Sequence, residues 1–241
     1  MARFYLPPNA WQSQAQLEEE ESRHCVQVLR FSVGDAITVF DGGGRSATAI
    51  ILQVRKNSVI IELGDTFQQT PPCPEIVLAQ AVPKGKTMEW IIEKAVELGV
   101  SRIVPLVTRH TIVKYDAHEA PKKAEKWQKV ALEACKQCGQ NWLPIVETPI
   151  DGRAFLSQER SGAKIIASLA PGALPLRQVI DDISQYDQVT IMIGPEGDFS
   201  PEETELAMQA GYRPATLGDL VLRSETAALF VLAAVRCILS R

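Results

Sequence analysis

The spacing of apolar residues changes character near residue 70, and that change limits the possible folds more than any other feature of the chain. Thr70-Pro71-Pro72-Cys73-Pro74 places three prolines in four residues, a stiff segment that marks a boundary between domains. Beyond it, short apolar runs alternate with longer segments of helical period. Strands are expected over 76–81, 103–107, 145–147, 164–169, 189–193 and 215–217. Helices are expected over 87–98, 121–138, 153–158, 176–183, 201–210 and 225–239, with Gly99, Gly139 and Gly211 where helices should stop. Such alternation implies an α/β domain with a mostly parallel sheet covered on both faces. Before the prolines the chain is β-rich. Strands are expected over 36–40, 46–54 and 58–63, with turns at Asp41-Gly42-Gly43-Gly44 and Lys56-Asn57 and one helix over 18–30. The 241 residues therefore read as two domains, 1–72 and 73–241.

Composition removes several function classes. Met1-Ala2-Arg3-Phe4-Tyr5 leads into prolines rather than an apolar run, so no signal peptide is expected. The most apolar stretch, 227–239, is too short to span a bilayer and contains Arg236. The reading is a cytoplasmic protein with no membrane partner. Five cysteines without framework spacing suit a reducing compartment. Cys135 and Cys138 form a C-x-x-C, but Ala124, Trp127, Ala131, Ala134 and Cys138 trace one apolar helical stripe. No second pair completes a zinc site, so no metal is expected.

Net charge is −4, yet the charge is uneven. Residues 102–136 carry Arg102, Arg109, Lys114, Lys122, Lys123, Lys126, Lys129 and Lys136 against four acids, whereas residues 181–219 carry nine acids and one base, Arg213. A basic zone on an acidic protein can hold a polyanion locally. It can equally be a solvated helix face. The run Glu18-Glu19-Glu20-Glu21 reads as a solvated helix start.

Ligands of a parallel sheet bind beyond the carboxyl ends of its strands. Ile193-Gly194-Pro195-Glu196-Gly197-Asp198-Phe199-Ser200 leaves the strand over 189–193 in that way. The next helix should start with Ser200 as N-cap, Pro201 at its first position and Glu203 completing a capping box. The loop lacks G-x-G-x-x-G and G-K-[ST], and Glu196 with Asp198 would repel phosphate. A neutral or cationic ligand bearing an amine or hydroxyls suits it; S-adenosyl-L-methionine is one. Taken alone, the loop is a tight turn. A second loop, Leu217-Gly218-Asp219-Leu220-Val221-Leu222-Arg223-Ser224-Glu225-Thr226-Ala227, offers backbone amides and apolar walls for an adenine. Arg223 and Glu225 either face a substrate or form a helix-end cap and local ion pair.

Gly194-Pro195-Glu196-Gly197, Leu217-Gly218 and Leu222-Arg223-Ser224-Glu225-Thr226-Ala227 together resemble the signature of the SPOUT methyltransferases. The chain is most similar to the bacterial family that methylates N3 of a uridine in 16S rRNA. Lys84-Gly85-Lys86-Thr87-Met88-Glu89-Trp90, Glu133-Ala134-Cys135-Lys136-Gln137-Cys138-Gly139, His24 with Val28-Leu29-Arg30, and Phe40-Asp41-Gly42 extend the resemblance over nearly the whole chain. Gln140 departs from it, since relatives often carry arginine there.

The resemblance implies a small PUA-like β-barrel that helps hold RNA and a SPOUT trefoil-knot domain that binds S-adenosylmethionine. It implies a cofactor site of Leu169, Ile193, Gly194, Glu196, Gly197, Leu217, Gly218, Val221, Leu222 and Arg223. RNA contacts are expected from Arg23, His24, Arg30, Lys84, Lys86, Arg109, Lys114 and Lys122. It also implies a homodimer acting on 16S rRNA in a small ribosomal subunit or its precursor. Uridine N3 carries a proton, so the site needs a base, or a cation that stabilises the uracil anion. Arg223 is the leading cation and Arg109 the second, with Glu196 or Glu225 as proton acceptor or arginine orienter. Rival readings are an RNA-binding protein without catalysis, a methyltransferase with another RNA, and a nucleotide-binding metabolic enzyme.

Overall fold

The computed structural model describes residues 1–55 and 57–239. Lys56, half of the turn expected at Lys56-Asn57, lies outside the described residues. The chain divides into two compact units, Met1–Pro71 with Leu132–Leu143, and Pro72–Ala131 with Pro144–Arg241.

The first unit contains β1 (Arg3–Tyr5), β2 (Gln14–Gln16), α1 (Glu19–Arg23), β3 (Ala36–Phe40), β4 (Arg45–Arg55) and β5 (Ser58–Gln68). Its five strands form one sheet in the order β1-β3-β4-β5-β2. All pairings are antiparallel except β1 with β3. Period-two alternation buries Ile37 and Val39 of β3 and Ala47, Ala49 and Ile51 of β4, against Phe4, Leu17 and Ile61. Each large apolar side chain so buried contributes about 1.5–3 kcal/mol.

Two expectations fail in this unit. The helix expected over 18–30 is α-helical only through Arg23 and continues as a π-turn, His24–Val28, before Arg30 turns to φ 60°. Glu21, read as part of a solvated acidic run, is buried. Its carboxylate accepts from the Lys136 ammonium and, at 3.3 Å, from the Tyr5 amide. Burial pushes the Glu21 carboxyl up despite the opposing lysine bonds. The lysine is 115 residues away in sequence, so no local pattern announces the pair.

The second unit holds a parallel sheet. Its elements are β6 (Glu75–Ala81), α2 (Thr87–Glu97), β7 (Arg102–Val107), the start of α3 (Glu119–Cys138), β8 (Ile145–Val146), β9 (Ile150–Asp151) and α4 (Gly152–Leu156), followed by β10 (Ala163–Ala167), β11 (Leu174–Pro175) and α5 (Leu176–Asp181), then β12 (Gln188–Ile193), α6 (Pro201–Gln209), β13 (Arg213–Thr216) and α7 (Ser224–Leu239). The strand order is β11-β13-β10-β12-β6-β7-β8, with β9 also on β7. The central strands are buried on both faces: β6 is buried from Ile76 to Ala81 and β12 from Val189 to Ile193, with Gln80 and Thr190 the polar members of those runs. That is what a sheet covered on both faces requires. β13 begins and ends earlier than the expected 215–217. Gly99, Gly139 and Gly211 follow α2, α3 and α6 with φ of 76°, 85° and 88°, as helix-ending glycines do.

The stripe on α3 is corrected by one position. Ala124, Trp127, Ala131 and Ala134 are buried, but Cys135 takes the last place and Cys138 is exposed. Burial pushes the Cys135 thiol up to about 12, which leaves it protonated and unreactive at neutral pH. Lys122, Lys123, Lys126 and Lys129 are all exposed. Among the described residues, no helix is long and apolar enough to cross a membrane.

Candidate cofactor and active site

β13, β10 and β12 are neighbours in a parallel sheet, so their carboxyl ends open onto the same edge. The loops that leave them enclose a cavity of ≈ 230 Å³. Ala167, Ser168 and Leu169 line it from β10, the 193–198 loop from β12, and the 217–223 loop from β13, with Ser224 and Ala227 of α7 closing it.

The 193–198 loop is tightly constructed. Asp198 donates its amide to Pro195 O at 3.0 Å and adopts φ 57°, a left-handed conformation that aspartate tolerates better than most residues. Its carboxylate accepts from the Phe199 amide at 2.8 Å. Gly194 packs against this turn: a Cβ there would lie 2.9 Å from Asp198 Oδ1 and 3.2 Å from the Phe199 nitrogen. The capping box forms as the sequence predicts. Ser200 Oγ accepts from the Glu203 amide, and Glu203 Oε2 accepts from the Ser200 amide at 2.9 Å. The other Glu203 oxygen accepts from the Arg109 amide at 2.8 Å, which ties the end of β7 to α6. His110 reaches the loop itself, with Nδ1 3.0 Å from Gly197 O and 2.9 Å from Asp198 O. Both neighbours are carbonyls, so Nδ1 carries the hydrogen. Glu196 Oε1 accepts from the Lys84 amide at 3.0 Å.

The 217–223 loop is open by contrast. Leu220 and Val221 are each 77% exposed. Among the described residues, the Arg223 guanidinium is exposed and pairs with no side chain, Glu225 included.

Nine of the ten residues expected to hold a cofactor line the cavity: Leu169, Ile193, Gly194, Glu196, Leu217, Gly218, Val221, Leu222 and Arg223. Gly197 lies in the same loop but abuts His110, whose Cβ would be 3.3 Å from a Cβ at that position. Arg109 pairs with Glu202 at 3.2 Å and is 61% exposed. Lys84, Lys86, Lys114 and Lys122 are exposed in the second unit, and Arg23, His24 and Arg30 are exposed in the first. Ala167, Ser224, Ala227 and, behind the lining, Gln80 and His110 fall outside the loops expected to hold the cofactor. A visible signal existed for Gln80, a polar residue inside an apolar strand.

The lining suits an amphipathic cation rather than a phosphate ester. Two carboxylates, one arginine and a ring of Leu169, Leu217, Leu220, Val221 and Leu222 supply apolar walls and negative charge, with no glycine-rich phosphate cradle.

Comparison with known proteins decides the lineage. Residues 69–236 match the model of an RNA methyltransferase domain, and residues 17–64 match that of an RNA methyltransferase PUA domain. The chain belongs to the RNA methyltransferase family. Its fold is that of a Legionella pneumophila methyltransferase solved in complex with SAM, at TM-score 0.91 and 34% identity over 98% of this chain and 97% of that one. The ribosomal RNA small subunit methyltransferase E of Neisseria gonorrhoeae, solved bound to S-adenosyl methionine, aligns at TM-score 0.89 and 33% identity over 99% and 98%. The Bacillus subtilis protein of the same name is 29% identical over 90% of this chain and 87% of its own. This RNA methyltransferase accordingly has an α/β domain with a parallel sheet and an N-terminal PUA-type domain.

Proposed function

We propose that N3 of a uridine in 16S rRNA is the methyl acceptor of this S-adenosylmethionine-dependent methyltransferase. The observation that carries the reading is the three-loop cavity with an unpaired arginine at its wall, in a chain whose similar structures were solved with that cofactor. Leu169, Leu217, Leu220, Val221 and Leu222 would sandwich the adenine, and Glu196 and Asp198 would face the cationic end. When bound, S-adenosylmethionine supplies the methyl group on a sulfonium.

The chain's own residues then have two tasks. Arg223 stabilises the negative charge that develops on uracil as N3 loses its proton. Arg109 is the second candidate, though Glu202 already engages it. Glu225 or Glu196 accepts the proton. The Lys84 amide occupies one Glu196 oxygen and leaves the other available. Rigid alignment of donor and acceptor supplies much of the remaining acceleration.

In this reading, residues 1–72 hold RNA through Arg23, His24 and Arg30, while residues 73–241 carry the knotted cofactor site with Lys84, Lys86, Arg109, Lys114 and Lys122 on the RNA side. The substrate is 16S rRNA in a small ribosomal subunit or its precursor, in the cytoplasm, and no metal takes part. The enzyme acts as a homodimer; exposed Trp90 on α2 and Phe230 on α7 are apolar surface for a second copy. Mass mapping of 16S rRNA from cells lacking and regaining the protein tests the acceptor. Loss and return of one N3-methyluridine supports it, and an unchanged map, or a change in another RNA, replaces it.

A further inference from the structure

β6 carries a polar side chain, Gln80, in an otherwise apolar run, and Gln80 is 0% exposed. Its amide nitrogen donates to Ala81 O at 2.8 Å and to Ser224 Oγ at 2.9 Å. The carbonyl neighbour fixes the amide's orientation, because Ala81 O can only accept. Ser224, the buried first residue of α7, has its oxygen engaged by that donor. Its hydroxyl hydrogen is then directed at Gly194 O, 2.6 Å away. A one-way donor chain therefore runs Gln80, Ser224, Gly194. It links β6, the start of α7 and the first residue of the 194–198 turn, and both Ser224 and Gly194 line the cavity.

The Gln80 amide makes two hydrogen bonds in this chain, while Gln80 Oε1 has no partner among the described residues. What the chain does is restrain one carbonyl. Gly194 packs directly on Asp198, and Asp198 closes back on Pro195, so holding Gly194 O restrains the turn at its first residue.

We propose that Gln80 and Ser224 are positioning residues for the methyl transfer: through the Gly194 carbonyl they set the orientation of the 194–198 turn against the cofactor. The inference rests on the reading of the cavity as the S-adenosylmethionine site.

The test combines calorimetric titration of S-adenosylhomocysteine with the thermal midpoint of the ligand-free protein. Gln80→Met is expected to weaken the ligand about 10-fold, the scale of one lost hydrogen bond, with the ligand-free protein still folding cooperatively. Ser224→Ala should weaken it by at least as much, and Ser224→Thr, which keeps the hydroxyl, should stay within about twofold of wild type. The double variant Gln80→Met/Ser224→Ala should bind about as poorly as Ser224→Ala alone, since both cut the same chain. Wild-type affinity in Gln80→Met, or a lowered midpoint with affinity unchanged, overturns the proposal while the cofactor site stands. Absence of binding by the wild-type protein overturns the site reading and the proposal with it.

Discussion

The two loops that form most of the cavity are held in opposite ways. The 193–198 loop is anchored from four directions: Ser224 on Gly194, the Lys84 amide on Glu196, His110 on Gly197 and Asp198, and the capping box of α6 immediately after it. Ahead of the 217–223 loop the Thr216 side chain bonds Gly218, and among the described residues no side chain from another element bonds residues 219–222. One wall is preformed and the other is open, with two apolar side chains three-quarters exposed. A preformed wall limits the ordering entropy that binding must overcome, while an open one lets the ligand enter. In this account the 193–198 loop sets the geometry and the 217–223 loop closes over the adenine.

The largest expected effect tests the open loop's chemistry. Arg223→Ala should lower turnover by about 10²-fold or more while S-adenosylhomocysteine affinity changes little. Wild-type turnover in that variant would sink the assignment. Next comes the fixed loop. Gly194→Ala forces a methyl group into the Asp198 turn, so ligand binding should fall by at least about 10-fold, the result of roughly 1.4 kcal/mol of displacement. Binding at the wild-type level would mean that this wall is not rigid. Val221→Ser should act differently. Because Val221 is exposed without ligand, the ligand-free thermal midpoint should hold steady while the rise in midpoint on adding S-adenosylhomocysteine shrinks. An equal fall in both midpoints would erase the contrast between the loops. Hydrogen exchange offers a readout without mutation: amides 219–222 should exchange fast and slow on ligand addition, whereas the bonded amides of Asp198 and Phe199 should be protected throughout. The smallest effect at the loops should come from neutralising Lys122, Lys123 and Lys129 together. Cofactor affinity should be untouched, but RNA binding should weaken and its dependence on salt flatten. An unchanged salt slope returns those lysines to a solvated face.

What the sequence made legible follows the range of each interaction. The α6 start was readable because Ser200, Pro201 and Glu203 act within four residues. The strand–helix alternation was readable because buried strands and amphipathic helices leave local periods. Nine cavity-lining residues followed from the resemblance rather than from spacing, since Gly194–Asp198 alone is a turn. The failures are non-local or lie at the resolution of the helical period. Glu21 is buried with its charge met by Lys136, which reaches it from α3. Positions 135 and 138 lie eight and eleven residues beyond Trp127, and a 3.6-residue period accommodates both, so packing rather than pattern selects Cys135. Gln80 was visible as an anomaly, but its purpose depends on Ser224, 144 residues later.

The central claim, methyl transfer from this cavity to 16S rRNA, is tested most directly by supplying the purified protein with methyl-labelled S-adenosylmethionine and small ribosomal subunits from cells lacking it, then mapping the label by mass spectrometry. The account predicts one labelled uridine methylated at N3, with labelling suppressed by S-adenosylhomocysteine. Label on another base or another position, or none in the presence of bound cofactor, would contradict it.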